Sequence, residues 1–177
     1  MNIDQFISRE IIPSTQHKTF YHFTDRRNLP QIREHGILSM AKLKAAAIKI
    51  PAPGGNQWSF DADEASGMDK YVHLCFTTNH PMVFHAVNDG RIKELIYLRI
   101  KPEVIRLPGV MVTRDVSNQK GVIPEPVQAI ADMDHEVIYK RTNWKIPEVL
   151  ARLKAAERYE ILVPNQVPIE LVINPNG

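Results

Sequence analysis

The segments with strand character in this chain are short, and irregular connections separate them, which limits the folds available to it. Alternation and enrichment in aromatic and β-branched residues are the signals that identify these segments. In chain order, the predicted strands cover 18–24, 71–77, 94–100, 109–113, 135–140, 158–164 and 169–173. No regular strand–helix alternation links them, so the pattern predicts an α+β fold and not a doubly wound α/β fold.

Helical segments lie between these strands, where apolar residues recur at helical spacing. The predicted helices cover 2–11, 28–35, 42–49, 81–87 and 147–157, with a further possible helix at 125–133. The stretch 50–70 collects Pro, Gly, Asn, Ser and Asp, and is predicted to be a long loop. Loops of that length in a compact domain are often functional.

The length of 177 residues, 44% of them hydrophobic, predicts one domain that spans residues 1–177. The single cysteine, Cys75, cannot form an internal disulfide, which favours a reducing compartment. No segment has the apolar core of a signal peptide or the roughly 20 apolar residues of a membrane span. A soluble, cytoplasmic protein without a membrane partner is therefore expected.

Charge is distributed unevenly along the chain, although the formal net charge is only +2. Residues 1–60 contain eight Lys or Arg against four Asp or Glu, whereas the remainder contains fourteen against sixteen. A basic N-terminal third is a weak indication of an anionic partner, such as a nucleic acid or a phosphate-bearing cofactor. An ordinary solvated surface explains the same pattern.

The densest group of potential metal ligands consists of His73, Cys75, His80 and His85. Its spacing fits no standard zinc pattern, and histidines and thiols on strands are more often core residues. No metal site is predicted. Cys75 lies between Leu74 and Phe76, and buried thiols of this kind are usually inert as nucleophiles.

Polar side chains lie where the first strand gives way to a helix. Strand alternation places His22 and Thr24 on one face, and Asn28 follows at the start of the helix. Hydroxyl, imidazole and amide groups at strand ends commonly hold ligands. An Asn28 that caps the helix and a half-buried His22 are the structural alternative.

Glu160 is a lone carboxylate inside the otherwise apolar segment "RYEILVP". Alternation puts Tyr159, Ile161 and Val163 on one face, and Glu160 with Leu162 on the other. Because glutamates are rarely buried without a partner, a solvent-exposed edge strand explains Glu160 by pattern alone.

Three segments, "YHFTDRRNLPQIREHGIL", "YVHLCFTTNHPM" and "YEILVPNQVPIELV", occur in this order and resemble the motifs of the DarT-type DNA ADP-ribosyltransferases. These enzymes are the toxins of DarT/DarG toxin–antitoxin pairs. The resemblance implies a single-domain ADP-ribosyltransferase-like fold with a split, mostly antiparallel β-sheet flanked by helices. It also implies transfer of ADP-ribose from NAD to a base in single-stranded DNA, with a macrodomain antitoxin (DarG-like) that removes the mark and a role such as phage defence.

The resemblance assigns Glu160 as the catalytic residue, with a charge that faces a cleft and is not buried. Cleavage between ribose and nicotinamide develops an oxocarbenium-like charge, which a fixed carboxylate can stabilise. A raised pKa would help if Glu160 also took a proton from the incoming base. Nicotinamide leaves as a neutral molecule, so no metal is required.

The NAD contacts implied by the resemblance come from the first two segments. His22 and Thr24 are expected to contact the NAD ribose, and Asn28 and the turn at Gly36 to help hold the dinucleotide. Phe76 resembles the aromatic position near nicotinamide. His80 also lies in these segments, without an assigned role.

One feature departs from the thymine-modifying members, which use an arginine after the first helix. No arginine occurs between Arg33 and Arg91 in this chain. Lysine lacks the planar fork of arginine, so the role would pass to an arginine elsewhere in the chain. The four candidates are Arg26, Arg27, Arg114 and Arg141. This departure favours guanine over thymine as the modified base.

The contacts with DNA are expected between the third strand and the Glu160 strand. Arg114, Asn118, Arg141 and Trp144 provide charge, an amide and a stacking surface there. Two other hypotheses stay open, namely ADP-ribosylation of RNA or protein, and a non-catalytic nucleic-acid-binding module of the same fold.

Overall fold

A computed structural model describes residues 1–177, apart from the side chain of Gln57. Six strands form one antiparallel sheet, in the order β4-β1-β3-β7-β5-β6. These strands are β1 (Phe20–Asp25), β3 (Tyr71–Cys75), β4 (Leu95–Ile100), β5 (Met111–Thr113), β6 (Glu125–Pro126) and β7 (Glu160–Pro164). A second, two-stranded sheet pairs β2 (Ile37–Leu38) with β8 (Gln166–Val167).

Seven α-helices accompany the two sheets within the described residues. They are α1 (Ile3–Phe6, continued by a π-helical turn at Ile7–Ile11), α2 (Leu29–His35), α3 (Met40–Ala45), α4 (Gln57–Ser66), α5 (Pro81–Asn88), α6 (Glu136–Tyr139) and α7 (Pro147–Ala156). Short 3₁₀ helices lie at Arg26–Asn28, Met68–Lys70, Pro102–Arg106, Val127–Asp132 and Ile169–Leu171. The mixture of helices with an antiparallel sheet confirms the predicted α+β class.

The hydrophobic core lies on one face of the six-stranded sheet, where the N-terminal helix and the later helices cover it. Phe6, Phe20, Leu74 and Ile161 are essentially inaccessible to solvent and belong to one connected cluster. Burial of large apolar side chains is the main stabilising contribution in a domain of this size. This core holds the six-stranded sheet in place. The other face of the same sheet carries polar residues.

Strand β7 lies inside the sheet, between β3 and β5, and is not an edge strand. Its first residue, Glu160, pairs with Cys75 on one side and with Thr113 on the other. The solvent-exposed edge strand inferred from pattern alone is therefore wrong. Alternation gave the face of Glu160 but carried no information about the neighbouring strands.

Gly36 ends α2, as predicted, with a positive φ of 75°. A Cβ atom at this position would lie 2.5 Å from the carbonyl oxygen of Val167 in β8. Only glycine combines this backbone conformation with such a close approach. Gly36 therefore lets the chain enter β2 and pair with β8.

The segment 50–70, predicted to be a loop, contains the helix α4 and the 3₁₀ turn Met68–Lys70. The side chain of Asn56 accepts a hydrogen bond from the Ser59 N–H and starts the helix, and Gly67 ends it in a left-handed conformation. Apart from Gly67, the Pro and Gly residues that suggested a loop lie before Asn56. The loop prediction was wrong because these breakers were extended over a helix that follows them.

Two predicted strands are helical in the structure. Residues 135–140 contain α6, in which Val137, Ile138 and Tyr139 are all buried. A short, fully buried apolar run cannot be assigned to helix or strand from periodicity. Residues 169–173 begin with a 3₁₀ turn after Pro168, and only Val172 forms a bridge to the sheet, at Ile100.

Two further findings concern the chain as a whole. Within the part of the chain that the structure describes, no helix has both the length and the apolar character needed to cross a bilayer. Cys75 is buried as a free thiol, and burial raises its pKa well above the ordinary value. The thiol is therefore protonated and is not poised for nucleophilic attack.

Candidate active site

A cavity of about 960 Å³, counted out to its open mouth, lies between the sheet and the segment that contains α3 and α4. Polar side chains from five parts of the chain converge on it, namely His22, Thr24, Asp63, His73, Ser117 and Glu160. Apolar side chains such as Phe23, Leu43 and Phe60 complete its walls. Largely apolar pockets with a few convergent polar groups are typical of small-molecule sites.

Glu160 faces this cavity, although only 5% of its side chain is exposed. The expectation that its charge would not be buried is therefore wrong. The backbone N–H of Ser117 donates to Oε2 at 3.0 Å, and Nδ1 of His73 lies 3.4 Å from the same oxygen. Nε2 of His80 lies 3.3 Å from Oε1. A carboxylate can stay charged at such a site only because these groups replace its water.

The pKa of Glu160 shows how strongly these partners act. Burial by itself would raise the pKa, but hydrogen bonds to His73 and His80, together with the positive charge of His73, hold it well below its usual range. Glu160 is therefore ionised at all physiological pH values. The raised pKa that would suit a general base is absent.

His73 is the cation that pairs with Glu160. Its Nε2 lies 3.1 Å from the carbonyl oxygen of Met68, while Nδ1 lies 3.1 Å from the Ser117 hydroxyl oxygen and 3.4 Å from the carboxylate, so Met68 and Glu160 both offer acceptors. Only the doubly protonated ring can donate to both. Burial disfavours this charge, but Glu160 outweighs burial and raises the pKa of His73 to about 9.

His80 supports Glu160 from the buried side. The N–H of Met82 donates to its Nδ1 at 3.4 Å, so His80 caps the N-terminus of α5. The proton then resides on Nε2, which faces Glu160 and has no other polar partner among the described residues. The segment "NHP" thus joins a helix start to the cavity carboxylate.

His22 and Thr24 line the cavity together, on the strand next to β3. Nδ1 of His22 lies 3.2 Å from the carbonyl oxygen of His73, which requires the proton on Nδ1. Burial, and then the neighbouring His73, lower the pKa of His22 to about 4 despite that hydrogen bond. His22 therefore offers a neutral Nε2 acceptor beside the His73 cation.

Asn28 lies at the cavity wall, but its amide already has protein partners. It donates to the carbonyl oxygen of Ala52 at 2.6 Å and to Oγ1 of Thr24 at 3.0 Å, and accepts from the N–H of Ala52 at 3.0 Å. It does not cap α2, because the preceding 3₁₀ turn is capped by Asp25 instead. Asn28 holds the segment 51–56 against β1.

Two of the residues expected to contact NAD lie outside the main cavity. Gly36 lines a smaller adjoining concavity of about 390 Å³, which shares His22, Thr24 and Asn28 with the cavity. Phe76 is fully buried in the core, with its ring edge-on to those of Phe20 and Tyr159. Phe76 does not line the cavity, so its expected place near nicotinamide stays a prediction.

The four residues expected to contact DNA do not lie together. Asn118 lines the cavity next to Ser117. Arg114 forms an ion pair with Glu125 and donates to the carbonyl oxygen of Asp132. Arg141 and Trp144 line a separate surface concavity that shares no residue with the cavity.

The candidate arginines are also engaged elsewhere. Arg27 forms a salt bridge with Asp25, and Arg26 with Glu94. Arg91 reaches the cavity wall instead, where it donates to the carbonyl oxygen of Gly54. Arg91 is far from α2 in sequence, so its position could be found only from the fold.

Sequence reasoning missed several of the groups that meet at Glu160. His73 and Ser117 contact the carboxylate directly, and Asp63 comes from a helix that was predicted to be a loop. Shared strand faces could have linked His73 to Glu160, since their strands are neighbours. Among the described residues, no group of three or more His, Cys, Asp or Glu side chains is arranged to hold a metal ion.

Comparison with solved structures shows that the fold of this chain is similar to that of DarT proteins. Thermosipho africanus DarTG in complex with ADP-ribose matches with a TM-score of 0.65 at 16% identity, over 87% of this chain and 42% of that chain. Thermus sp. 2.9 DarT in complex with ADP-ribosylated ssDNA matches with a TM-score of 0.64 at 17% identity, over 86% of this chain and 78% of that chain. The same Thermus protein in complex with NAD+ matches with a TM-score of 0.55 at 19% identity, over 86% of this chain and 78% of that chain. This chain thus spans less than half of the DarTG chain.

The family follows from the sequence itself. A family model described as "ssDNA thymidine ADP-ribosyltransferase, DarT" matches residues 21–174. The chain belongs to the DarT family. No curated protein matches it significantly.

Proposed function

We propose that this protein is an NAD-dependent ADP-ribosyltransferase that modifies a base in single-stranded DNA. The observation that carries the proposal is the ionised Glu160, held by His73, His80 and Ser117 at the wall of the cavity. Membership of the DarT family supports it. So do the relatives of the same fold whose structures contain NAD+ and ADP-ribosylated ssDNA.

The residues of the cavity fit NAD as a substrate. Flat apolar walls at Phe23, Phe60 and Tyr71 suit a heteroaromatic ring, while His22 and Thr24 suit ribose hydroxyls. The neutral Nε2 of His22 can accept a hydrogen bond from a hydroxyl group. His73 adds a fixed positive charge within the cavity for the anionic part of the dinucleotide.

Glu160 supplies the negative charge against which positive charge develops on the ribose when the bond to nicotinamide breaks. Its partners fix the carboxylate in place before the substrate arrives, so little reorganisation is needed during the reaction. The low dielectric of a buried site strengthens this attraction relative to water. Glu160 therefore stabilises charge and does not exchange protons.

An unpaired base fits this site better than a base within a duplex. The carboxylate lies in a recess, with Ser117 and Asn118 in the loop after β5 beside it. A base inside a duplex would first have to be unstacked and turned out, at a cost of a few kcal/mol. Single-stranded DNA presents its bases without that cost.

The identity of the base is the finer part of the proposal. Guanine is favoured because residues 34–90 contain no arginine, whereas the description of the matching family names thymidine. The contact between Arg91 and Gly54 brings a guanidinium to the cavity wall by another route. Oligonucleotides that contain a single guanine or a single thymine distinguish the two bases.

A toxin role, opposed by a macrodomain antitoxin, completes the proposal. It rests on the resemblance to the DarT/DarG pairs and on the likeness to a DarTG structure. Growth arrest on expression of the wild type, but not of a Glu160→Gln variant, is the expected result. Equal arrest by both would contradict an enzymatic toxin.

The direct experiment incubates labelled NAD with single-stranded DNA, duplex DNA, RNA and protein. We expect label on single-stranded DNA, reduced at least about 100-fold by Glu160→Gln, because the buried charge that stabilises the transition state is lost. The melting temperature and the NAD affinity of the variant show whether it is folded. Label on RNA alone or on protein alone would show that this polymer, and not DNA, is the acceptor. If no NAD is consumed, the result would favour a non-catalytic binding module.

A further inference from the structure

A second carboxylate, that of Asp63 on α4, lines the same cavity as Glu160. Its Oδ1 atom is shielded from solvent and makes no hydrogen bond within the described residues. A buried carboxylate oxygen without a donor is costly unless a ligand or a proton satisfies it. Oδ1 of Asp63 is thus a polar atom of the site that has no hydrogen-bond partner among the residues that the structure describes.

The transfer reaction requires a proton acceptor. The bond between the ribose carbon and the nicotinamide nitrogen breaks, and its electron pair leaves with neutral nicotinamide. A bond forms between that carbon and a nitrogen of the DNA base, which must lose a proton to become neutral. Some group near the ribose has to receive this proton.

The other groups of the cavity are unsuited to that task. Glu160 accepts from Ser117 and faces two histidines, and its lowered pKa makes it a weak base. His73 already carries both protons. Protonation of His22 would place a second cation beside His73, and burial already lowers its pKa.

We infer that Asp63 is the catalytic base, which takes the proton from the nucleophilic nitrogen of the DNA base and passes it to water. This inference rests on the proposed transferase function. It divides two roles between two carboxylates in one cavity, since Glu160 stabilises positive charge and Asp63 accepts the proton. Pairs of acidic groups in contrasting environments are a recurrent basis for such a division.

The electrostatic surroundings of Asp63 agree with this role. Burial raises its pKa, and Glu160 and Asp69 raise it further, while the positive charge of His73 lowers it. These three groups lie on β7, in the turn before β3 and on β3. A carboxylate with a raised pKa accepts a proton more readily than an ordinary aspartate.

The test compares Asp63→Asn with the wild type in three assays: calorimetric binding of NAD, release of nicotinamide without DNA, and transfer to single-stranded DNA. We expect transfer to fall roughly 100-fold or more, as for loss of a general base, and by a clearly larger factor than either NAD binding or nicotinamide release. Asp61→Asn, on the exposed side of the same helix, is the matched control and should retain transfer.

The pH profile adds a readout that a purely structural role would not change. Wild-type transfer should fall as pH drops through the pKa of Asp63, and Asp63→Asn should lose this acid limb. Transfer by the variant within threefold of wild type would overturn the inference, as would an equal loss of NAD binding. Absence of transfer by the wild type would instead refute the proposed function.

Discussion

Glu160 shows how the setting of a residue decides its chemistry. A carboxylate within an apolar strand is compatible with a surface edge, and the pattern of neighbouring residues favours that interpretation. The fold instead places Glu160 at the start of a central strand, against His73, His80 and the Ser117 N–H. Its charge is stable there because donors surround it, and it is fixed in position before any substrate binds.

The ion pair between His73 and Glu160 predicts a dependence of stability on pH. The pKa of His73 is raised from 6.5 in the unfolded chain to about 9 in the folded protein. Its contribution is therefore fully present below pH 6.5 and is lost as pH rises through 9. The free energy of unfolding should fall over this window by up to about 3 kcal/mol.

Urea denaturation at a series of pH values measures this effect. His73→Gln should remove most of the slope between pH 6.5 and 9, whereas His85→Gln, at an exposed position on α5, should keep it. A wild-type stability that does not change over this window would show that His73 is not the buried cation.

At the scale of elements, Asn28 joins the end of β1 to the segment 51–56 through its two hydrogen bonds to Ala52. Gly54 and Gly55 of that segment line the cavity. Asn28→Ala should therefore loosen one wall of the cavity, and raise the KM for NAD more than it lowers kcat. Loss of buried hydrogen bonds should also cost about 1–3 kcal/mol of stability.

Gln16→Ala is the matched control for Asn28→Ala. Gln16 also donates from its side chain to a backbone carbonyl, that of Lys140, but it does not line the cavity. The KM for NAD should be unchanged in this variant. An unchanged KM in Asn28→Ala as well would show that the Asn28–Ala52 contact does not shape the substrate site.

The close approach of Gly36 to β8 gives a prediction about the small sheet. Gly36→Ala meets both an unfavourable φ and a contact of 2.5 Å with the Val167 carbonyl oxygen. Gly90 has a similar φ of 72°, but a Cβ there meets nothing within 4 Å. Gly90→Ala should cost about 1 kcal/mol from backbone strain alone, and Gly36→Ala clearly more.

Thermal and urea unfolding of the two variants measure this difference. Because both positions have a similar φ, the excess cost of Gly36→Ala reports the clash with β8 together with the strain from the Gly36 ψ of −171°. Equal destabilisation by the two substitutions would indicate that the pairing of β2 with β8 adjusts freely.

At the scale of the whole molecule, the sequence predicted the elements that have strong local signals. Strands β1, β3 and β4 and helices α5 and α7 lie within two residues of their predicted bounds, because alternation, helical spacing and prolines mark them. Helix α4 was missed, since it follows a Pro- and Gly-rich stretch. The strand prediction for residues 135–140 was wrong, because short buried apolar runs have no distinctive period.

The candidate site was predictable only in part, for a physical reason. Strand alternation identified His22 and Thr24 as candidate site residues, and the order of the three motifs identified Glu160. The contacts of Glu160 with His73, His80 and Ser117 depend on which strands are neighbours, which local patterns do not encode. Asp63 reaches the cavity, and Arg91 reaches the lining residue Gly54, through tertiary packing, so no local signal marks them.

The central claim is that the buried, ionised Glu160 drives transfer of ADP-ribose from NAD to a base in single-stranded DNA. Intact-mass spectrometry of short oligonucleotides, each with one of the four bases in a fixed context, tests it most directly. After incubation with NAD, the wild type should add one ADP-ribose to an oligonucleotide of a single base type, and Glu160→Gln should add none. No adduct on any of the four oligonucleotides, or equal adducts from both proteins, would contradict the claim.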